Sequence, residues 1–125
     1  MRKLLNALSI LLIAGAASAC AAAAVHNIGR VAYYSSVEGH PVTVQDGSYT
    51  VFDRPSEQRM MVKISLETTL RQGPFASFDE SAYLAPFRAA AAKYLRERGR
   101  SCTITSGSIL VKPYIEIVYR CEQRS

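Results

Sequence analysis

The sequence predicts an α+β fold: a small antiparallel sheet of four to five strands with one amphipathic helix packed on one face. Short segments in which apolar and polar residues alternate are typical of half-buried strands, and they occur both before and after one long segment with helical spacing. The predicted order is therefore strand–strand–strand–helix–strand–strand. Strands on both sides of a single helix favour an antiparallel sheet with that helix on one face.

The first two strands are predicted on either side of Asp46-Gly47. Residues 42–45 and 48–52 alternate, and an Asp-Gly pair between two such segments predicts a tight hairpin, because a type I′ turn needs positive φ at both central residues. Residues 31–37, VAYYSSV, are compatible with a further strand before this hairpin.

The third strand is predicted over residues 59–67, RMMVKISLE. Its even-numbered residues are all apolar and predict a buried face, whereas Met61 and the other odd-numbered residues predict a face in water. Residues 68–79 follow and contain Gly73-Pro74, which predicts a loop.

The one clear helix is predicted over Tyr83–Arg98, which is rich in the good helix formers Ala, Leu, Arg and Glu. Pro86 cannot lie deep inside a helix, so we expect it in the first turn, with Asp79-Glu80-Ser81 capping a short preceding turn. Gly99 is predicted to end the helix. Apolar residues at helical spacing predict the stripe that faces the core: Leu84, Phe87, Ala91, Tyr94 and Leu95.

The last two strands are predicted over residues 101–110 and 114–121, with the turn near Lys112-Pro113. If Cys102 lies opposite Cys121, both cysteines fall on the apolar face of this hairpin, and directly opposed positions suit a disulfide. Such a bond closes a loop of about twenty residues and stabilises the fold by about 3 kcal/mol. The segment Ser106-Gly107-Ser108 favours a bulge that shifts the register beyond it.

The first 19 residues have the layout of a secretory signal. Arg2 and Lys3 precede an apolar segment over residues 4–16, which is shorter than the roughly 20 residues that a membrane-spanning helix needs. We therefore predict a signal peptide over residues 1–19, a flexible tether over 20–31 and a single α+β domain over 32–125. The alternative for the tether is an N-terminal helix that frays on the domain, since four alanines, 21–24, are too few to hold a helix alone.

The segment Ala17-Ser18-Ala19-Cys20 resembles the processing site of bacterial lipoproteins. The resemblance implies that Cys20 becomes the lipid-bearing first residue and that the lipid binds the protein to a membrane. Because Ala21 and not Asp follows, it also implies carriage to the outer membrane. The family prefers Leu at the place of Ala17, and the same residues suit ordinary signal cleavage. The alternative is therefore a soluble periplasmic or secreted protein.

The three cysteines fit export. Paired thiols become disulfides in an oxidising compartment, so we predict that Cys102 and Cys121 are linked. Cys20 is then left without a thiol partner, which agrees with a lipid-bearing residue.

No catalytic, cofactor-binding or metal-binding set is predicted, and we expect no enzymatic activity. His26 and His40 have no further ligands at metal-binding spacing, and Ser106-Gly107-Ser108 lacks the outer glycines of a nucleophile elbow. Asp79-Glu80 is best explained by the start of the helix. Glu116 is predicted to be alone and solvated on the outer face of the last strand.

The charge balance argues against a nucleic-acid partner. Removing Arg2 and Lys3 lowers the formal net charge from +5 to +3, and this mild excess is spread along the chain. The densest basic region, Arg96, Arg98 and Arg100, is a candidate contact for an anionic surface; the alternative is compensation of the helix end. We expect a non-catalytic outer-membrane lipoprotein, facing the periplasm, with an envelope protein partner. The alternative is a soluble periplasmic or secreted binding or inhibitor module.

Overall fold

The computed structural model describes residues 21–45, 47–72 and 79–122. It contains a five-stranded antiparallel sheet with helices packed on it, which confirms the predicted α+β class. The elements in chain order are α1 (residues 21–35), β1 (Gly39–Val44), β2 (Gly47–Arg54), a 3₁₀ turn (Pro55–Glu57), β3 (Arg59–Ile64), α2 (Leu66–Gln72), α3 (Glu80–Glu97), β4 (Cys102–Val111) and β5 (Tyr114–Cys121).

The sheet has the order β1-β2-β3-β5-β4. β1, β2 and β3 form a meander, β4 and β5 form a hairpin, and β5 joins the two parts by pairing with β3. The predicted order of three strands, a long helix and two strands is thereby confirmed.

The main core lies between the sheet and α3. The predicted stripe of α3, including Phe87 and Leu95, is buried throughout. The strands contribute Val42, Tyr49, Val51, Met60, Val62, Ile64, Ile115, Ile117 and Tyr119 to this core.

Helix α3 begins earlier than predicted. Asp79 is its N-cap and accepts a hydrogen bond from the backbone N–H of Ser81 at 3.0 Å, so the expected preceding turn and the main helix are one helix. Pro86 consequently lies inside the helix and not in its first turn. Gly99 follows the helix with a φ of 68°, as expected of the residue that ends it.

The β1–β2 turn is shifted by one residue from the predicted one. Val44 pairs with Gly47, so Gly47 is not a central residue of the turn; Gln45 has a φ of 50°, and Asp46 lies outside the described residues. Gly47 belongs to β2, where an added Cβ would lie 2.9 Å from the Tyr49 ring. A close approach of Tyr49 therefore explains the glycine better than a turn conformation does.

The β4–β5 register is the predicted one. Cys102 pairs with Cys121 and Ile104 pairs with Tyr119, and the two cysteines form a disulfide with an S–S distance of 1.99 Å. The register shifts between Ile104 and Ser106, at the edge of the segment in which a bulge was predicted.

Helix α2 occupies part of the predicted loop 68–79. β3 ends at Ile64 because the Ser65 hydroxyl accepts a hydrogen bond from the backbone N–H of Thr68 at 3.1 Å, which starts a helix. Leu66 therefore leaves the strand face on which it was predicted and is 73% exposed. Residues 73–78 of the predicted loop lie outside the described residues.

Helix α1 is the largest difference from the predicted structure. Residues 21–35 are helical where a flexible tether (20–31) and a possible strand (31–37) were predicted, so the alternative of an N-terminal helix is the observed one. α1 packs on the sheet face opposite α3 through a second cluster of Tyr34, Met61 and Leu110. Met61, predicted to face water, is fully buried there. Packing on the sheet gives α1 a stability that four alanines cannot provide.

Candidate functional site

Helix α1 is helical from residue 21, the first described residue, and has one face on the sheet. Within residues 21–35, four residues are half-buried or buried, and they follow helical spacing: Asn27, Arg30, Val31 and Tyr34. Cys20 itself lies outside the described residues. The chain position that the resemblance marks for lipidation is therefore followed at once by a helix that belongs to the folded domain.

The attachment of α1 centres on a group that we call the Glu116 cluster: Arg30, Tyr34, Arg59 and Glu116. Arg30 Nε and the Tyr34 hydroxyl both donate hydrogen bonds to Glu116 Oε2 at 2.8 Å. Arg59 Nη1 lies 4.0 Å from the other carboxylate oxygen and is the weaker partner. Glu116 is only 8% exposed, so the prediction of a solitary, solvated Glu116 is wrong. Glu116 does lie on the outer face of the sheet, but α1 covers that face.

The Glu116 carboxylate stabilises the protonated forms of Arg30 and Tyr34. The hydrogen bond that Arg30 donates to Glu116 is the main cause that raises the pKa of Arg30, while burial and the same carboxylate raise the pKa of Tyr34. Arg30 consequently stays cationic and Tyr34 stays protonated as a hydrogen-bond donor. A carboxylate with these donors is compensated in its buried position.

A second set of contacts holds the C-terminal end of α1. Arg54 Nη2 donates to the backbone carbonyl oxygen of Tyr33 at 2.7 Å and to the Ser36 hydroxyl at 2.8 Å. The Arg54 guanidinium lies 3.5 Å from the centre of the Tyr33 ring, and the Tyr33 hydroxyl donates to Glu57. α1 is therefore fixed at two places, by β5 near its middle and by the end of β2 near its C-terminus.

The opposite side of α1 is apolar and in contact with solvent. Val25 is 69% exposed and Ile28 is 60% exposed. With the exposed alanines at matching spacing they form the outer stripe of α1: Ala21, Val25, Ile28 and Ala32.

A second buried carboxylate lies on the α3 side of the sheet, in the Asp53 cluster: Asp53, Tyr94, Arg100 and Tyr119. Tyr119 donates to Asp53 Oδ1 at 2.6 Å, and Arg100 donates to Asp53 Oδ2 at 2.8 Å. Tyr94 donates to Oδ2 at 3.2 Å. Burial, and then the hydrogen bond to Asp53, raises the pKa of Tyr119. The cluster joins β2, β5 and α3 to Arg100, which lies between α3 and β4.

Asp53 was missed at the sequence level, although a signal existed. Tyr49 and Val51 face the core, and continuing the two-residue period through residue 53 places Asp53 on the same face. The segment predicted as the second strand ends at Phe52 and leaves Asp53 out. An acidic residue in phase with a buried strand face indicates a buried ion pair.

The three arginines of the predicted basic region have different surroundings. Arg100 is bound to Asp53, while Arg98 Nη2 lies 2.8 Å from His40 Nδ1 and Arg96 is exposed. His40 belongs to β1, and its ring lies 5.5 Å from that of Tyr94. His26 is exposed on α1.

A cavity of about 450 Å³ lies where the β1–β2 turn meets α2 and the beginning of α3. Gly47, Tyr49, Thr68 and Pro86 are among its lining residues, and Arg71 is the charged one among the described lining residues. Its volume falls within the range of small-molecule sites. Across residues 21–45, 47–72 and 79–122, no three His, Cys, Asp or Glu side chains are grouped so that they could hold a metal ion.

None of the helices in the described part of the chain combines the length and the apolar character that a bilayer crossing requires. The features of the described residues that bear on function are the two faces of α1, the two carboxylates paired with arginines, and the disulfide. No family model, no curated protein and no solved structure matches this chain.

Proposed function

We propose that this protein is an exported lipoprotein, held by a lipid on Cys20 at the periplasmic face of the outer membrane. Its disulfide-bonded α+β domain acts there as a non-catalytic interaction domain for an envelope protein. The observation that carries this proposal is that the residues next to Cys20 in the chain, from residue 21 on, belong to helix α1, which is fixed to the sheet by Arg30 and Glu116. A lipid at Cys20 would hold the domain through a structured connection.

The disulfide supports export. Cys102 and Cys121 are bonded, which is the state expected in an oxidising compartment and unusual in the cytosol. Of the three cysteines in the chain, only Cys20 then remains for another modification.

The two buried carboxylates support a non-catalytic role. Asp53 and Glu116 each accept hydrogen bonds from an arginine and from at least one tyrosine. Carboxylates bound in this way join elements of the fold, whereas a general acid or base needs contact with a substrate. Both residues therefore have a structural explanation.

Metabolic labelling with palmitate tests the lipid directly. We expect wild-type protein to be labelled and Cys20→Ser to lose the label completely. The matched control is the double variant Cys102→Ser/Cys121→Ser, which removes both other thiols and keeps the label. Release of unlabelled protein with the bare peptide mass of residues 20–125 would instead establish the soluble binding or inhibitor module.

Separation of the inner and outer membranes tests which of the two holds the protein. Lipoproteins with Asp after the lipidated cysteine stay in the inner membrane, so Ala21→Asp is expected to move the protein from the outer to the inner membrane fraction. Ala21→Ser is the control and is expected to remain in the outer membrane. Recovery of the wild type in the inner membrane would contradict the proposed location.

A further inference from the structure

We infer that the outer stripe of α1 (Ala21, Val25, Ile28 and Ala32) lies on the bilayer surface, so that α1 is placed between the membrane and the sheet. This inference rests on the proposed lipid at Cys20, and it adds a fixed orientation of the domain. Val25 is 69% exposed and Ile28 is 60% exposed. Both are β-branched side chains on the side of α1 that faces away from the protein.

The first part of α1 lacks charges that would oppose contact with lipid. Residues 21–29 contain no Asp, Glu, Lys or Arg, although charged residues make up 20% of the chain. The first charged residue, Arg30, lies on the opposite face and is bonded to Glu116. An apolar face without charges, adjoining a lipid anchor, is what a helix lying in the membrane interface needs.

The distances agree with this placement. At a rise of 1.5 Å per residue, Val25 lies about 6 Å and Ile28 about 10.5 Å along the helix axis from Ala21, the residue after Cys20. A helix that lies in the membrane interface buries its apolar face by about 5 to 10 Å, and both residues are on that face and close to the proposed lipid.

The orientation of the whole domain follows from the attachment of α1. Because Tyr34 and Arg30 pack on the sheet face that carries Met61 and Glu116, that face points toward the membrane. α3 covers the other face and points into the periplasm, away from the bilayer. The outer stripe carries no charged residue and is next to the proposed lipid on Cys20, so we assign it to lipid and not to a second protein.

Tryptophan fluorescence can test this placement, because the chain contains no tryptophan. The variants Val25→Trp and Ile28→Trp place a single reporter on the outer stripe. His26→Trp is the control on the same helix, about 100° around its axis from Val25. Leu70→Trp is the control on α2, at a site that is 71% exposed in the wild type, and it reports the interfacial preference of tryptophan itself.

Each variant is extracted from membranes with its lipid, checked by intact mass and reconstituted in phosphatidylethanolamine–phosphatidylglycerol vesicles that contain brominated acyl chains. We expect a shift to shorter wavelength and a loss of emission by bromine quenching for Val25→Trp and Ile28→Trp. His26→Trp and Leu70→Trp are expected to emit as they do in detergent-free buffer.

The outcomes separate the two proposals. If intact mass shows the lipid but Val25→Trp emits like Leu70→Trp, α1 stands in water; the membrane placement is then wrong, while the lipoprotein proposal stands. Equal quenching of His26→Trp and Val25→Trp would likewise exclude an oriented helix. If intact mass shows no lipid on Cys20, the lipoprotein proposal fails, and the placement of α1 fails with it.

Discussion

Arg30 on α1 and Glu116 on β5 are 86 residues apart in the chain, and their side chains meet at a distance of 2.8 Å between Nε and Oε2. This pair joins the helix behind Cys20 to the central part of the sheet. Together with the contacts of Arg54 it makes α1 an integral element of the domain.

Loss of the Arg30 guanidinium should weaken the fold and release α1. Arg30→Gln leaves a buried carboxylate with one weak cationic partner, and we expect it to lower the free energy of unfolding by about 2 kcal/mol. Arg59→Gln is the matched control; its 4.0 Å contact and 44% exposed side chain predict a loss below about 0.5 kcal/mol. Urea unfolding measures both values, and limited proteolysis should cleave α1 faster in Arg30→Gln only. Equal effects of the two variants would contradict this role of Arg30.

The stability of a Met61 variant shows whether the second sheet face is covered by α1 or lies in water. Because Met61 is fully buried against Tyr34, Met61→Ala is expected to cost about 3 kcal/mol, the range of large-to-small core substitutions. Lys63→Ala, on the same face, is expected to change stability by about 0.5 kcal/mol or less. Thermal or urea unfolding measures both losses. An unchanged free energy of unfolding in Met61→Ala would indicate that α1 does not pack on this face.

The disulfide should contribute a large share of the stability. Reduction, or the double variant Cys102→Ser/Cys121→Ser, is expected to lower the free energy of unfolding by about 3 kcal/mol, because the bond constrains the unfolded chain. Peptide mapping without reduction should recover Cys102 linked to Cys121. Two alkylated thiols in protein taken from the periplasm would contradict the bond.

Loss of a charge in the Asp53 cluster should lower the free energy of unfolding more than loss of a charge in an exposed ion pair. Asp53→Asn removes the buried charge that pairs with half-buried Arg100, and we expect a loss of about 3 kcal/mol in urea unfolding. The control Glu67→Gln breaks a 3.8 Å pair with Arg71 in which both side chains are more than half exposed, and it should cost less than about 0.5 kcal/mol. A similar small loss in both variants would show that Asp53 is not buried with its partners.

Two buried tyrosines predict the alkaline limit of stability. Burial raises the pKa of Tyr34 and Tyr119 in the folded state above the ordinary value of 10.0. Both tyrosines stay protonated in the folded protein above that pH, whereas the unfolded chain loses the protons. Stability is therefore unaffected below about pH 9 and should fall by about 1.4 kcal/mol per pH unit and tyrosine once the pH exceeds about 10.

Urea midpoints measured from about pH 8 to pH 11 test this dependence, since ordinary tyrosines titrate in that interval. Tyr34→Phe and Tyr119→Phe should each flatten the decline at the alkaline end, although each also loses a hydrogen bond to a carboxylate. An unchanged slope in both variants would mean that neither tyrosine keeps its proton in the folded state.

Local sequence patterns predicted the elements whose partners lie nearby in the chain. The two-residue period of the last hairpin and its two cysteines predicted the pairing of Cys102 with Cys121 and of Ile104 with Tyr119. The helical spacing of α3 likewise predicted its buried stripe. Both patterns work because strand and helix geometry determine which side chains share a face.

The sequence by itself determined which residues share a face in β3 and in α3, the register at the start of the last hairpin and the pairing of its cysteines. The tertiary structure alone decided that α1 covers the second sheet face, which buries Met61 and gives Glu116 the partners Arg30 and Tyr34. The physical reason is that periodicity reports which side a residue points to. Whether that side meets water or another element depends on contacts between distant parts of the chain.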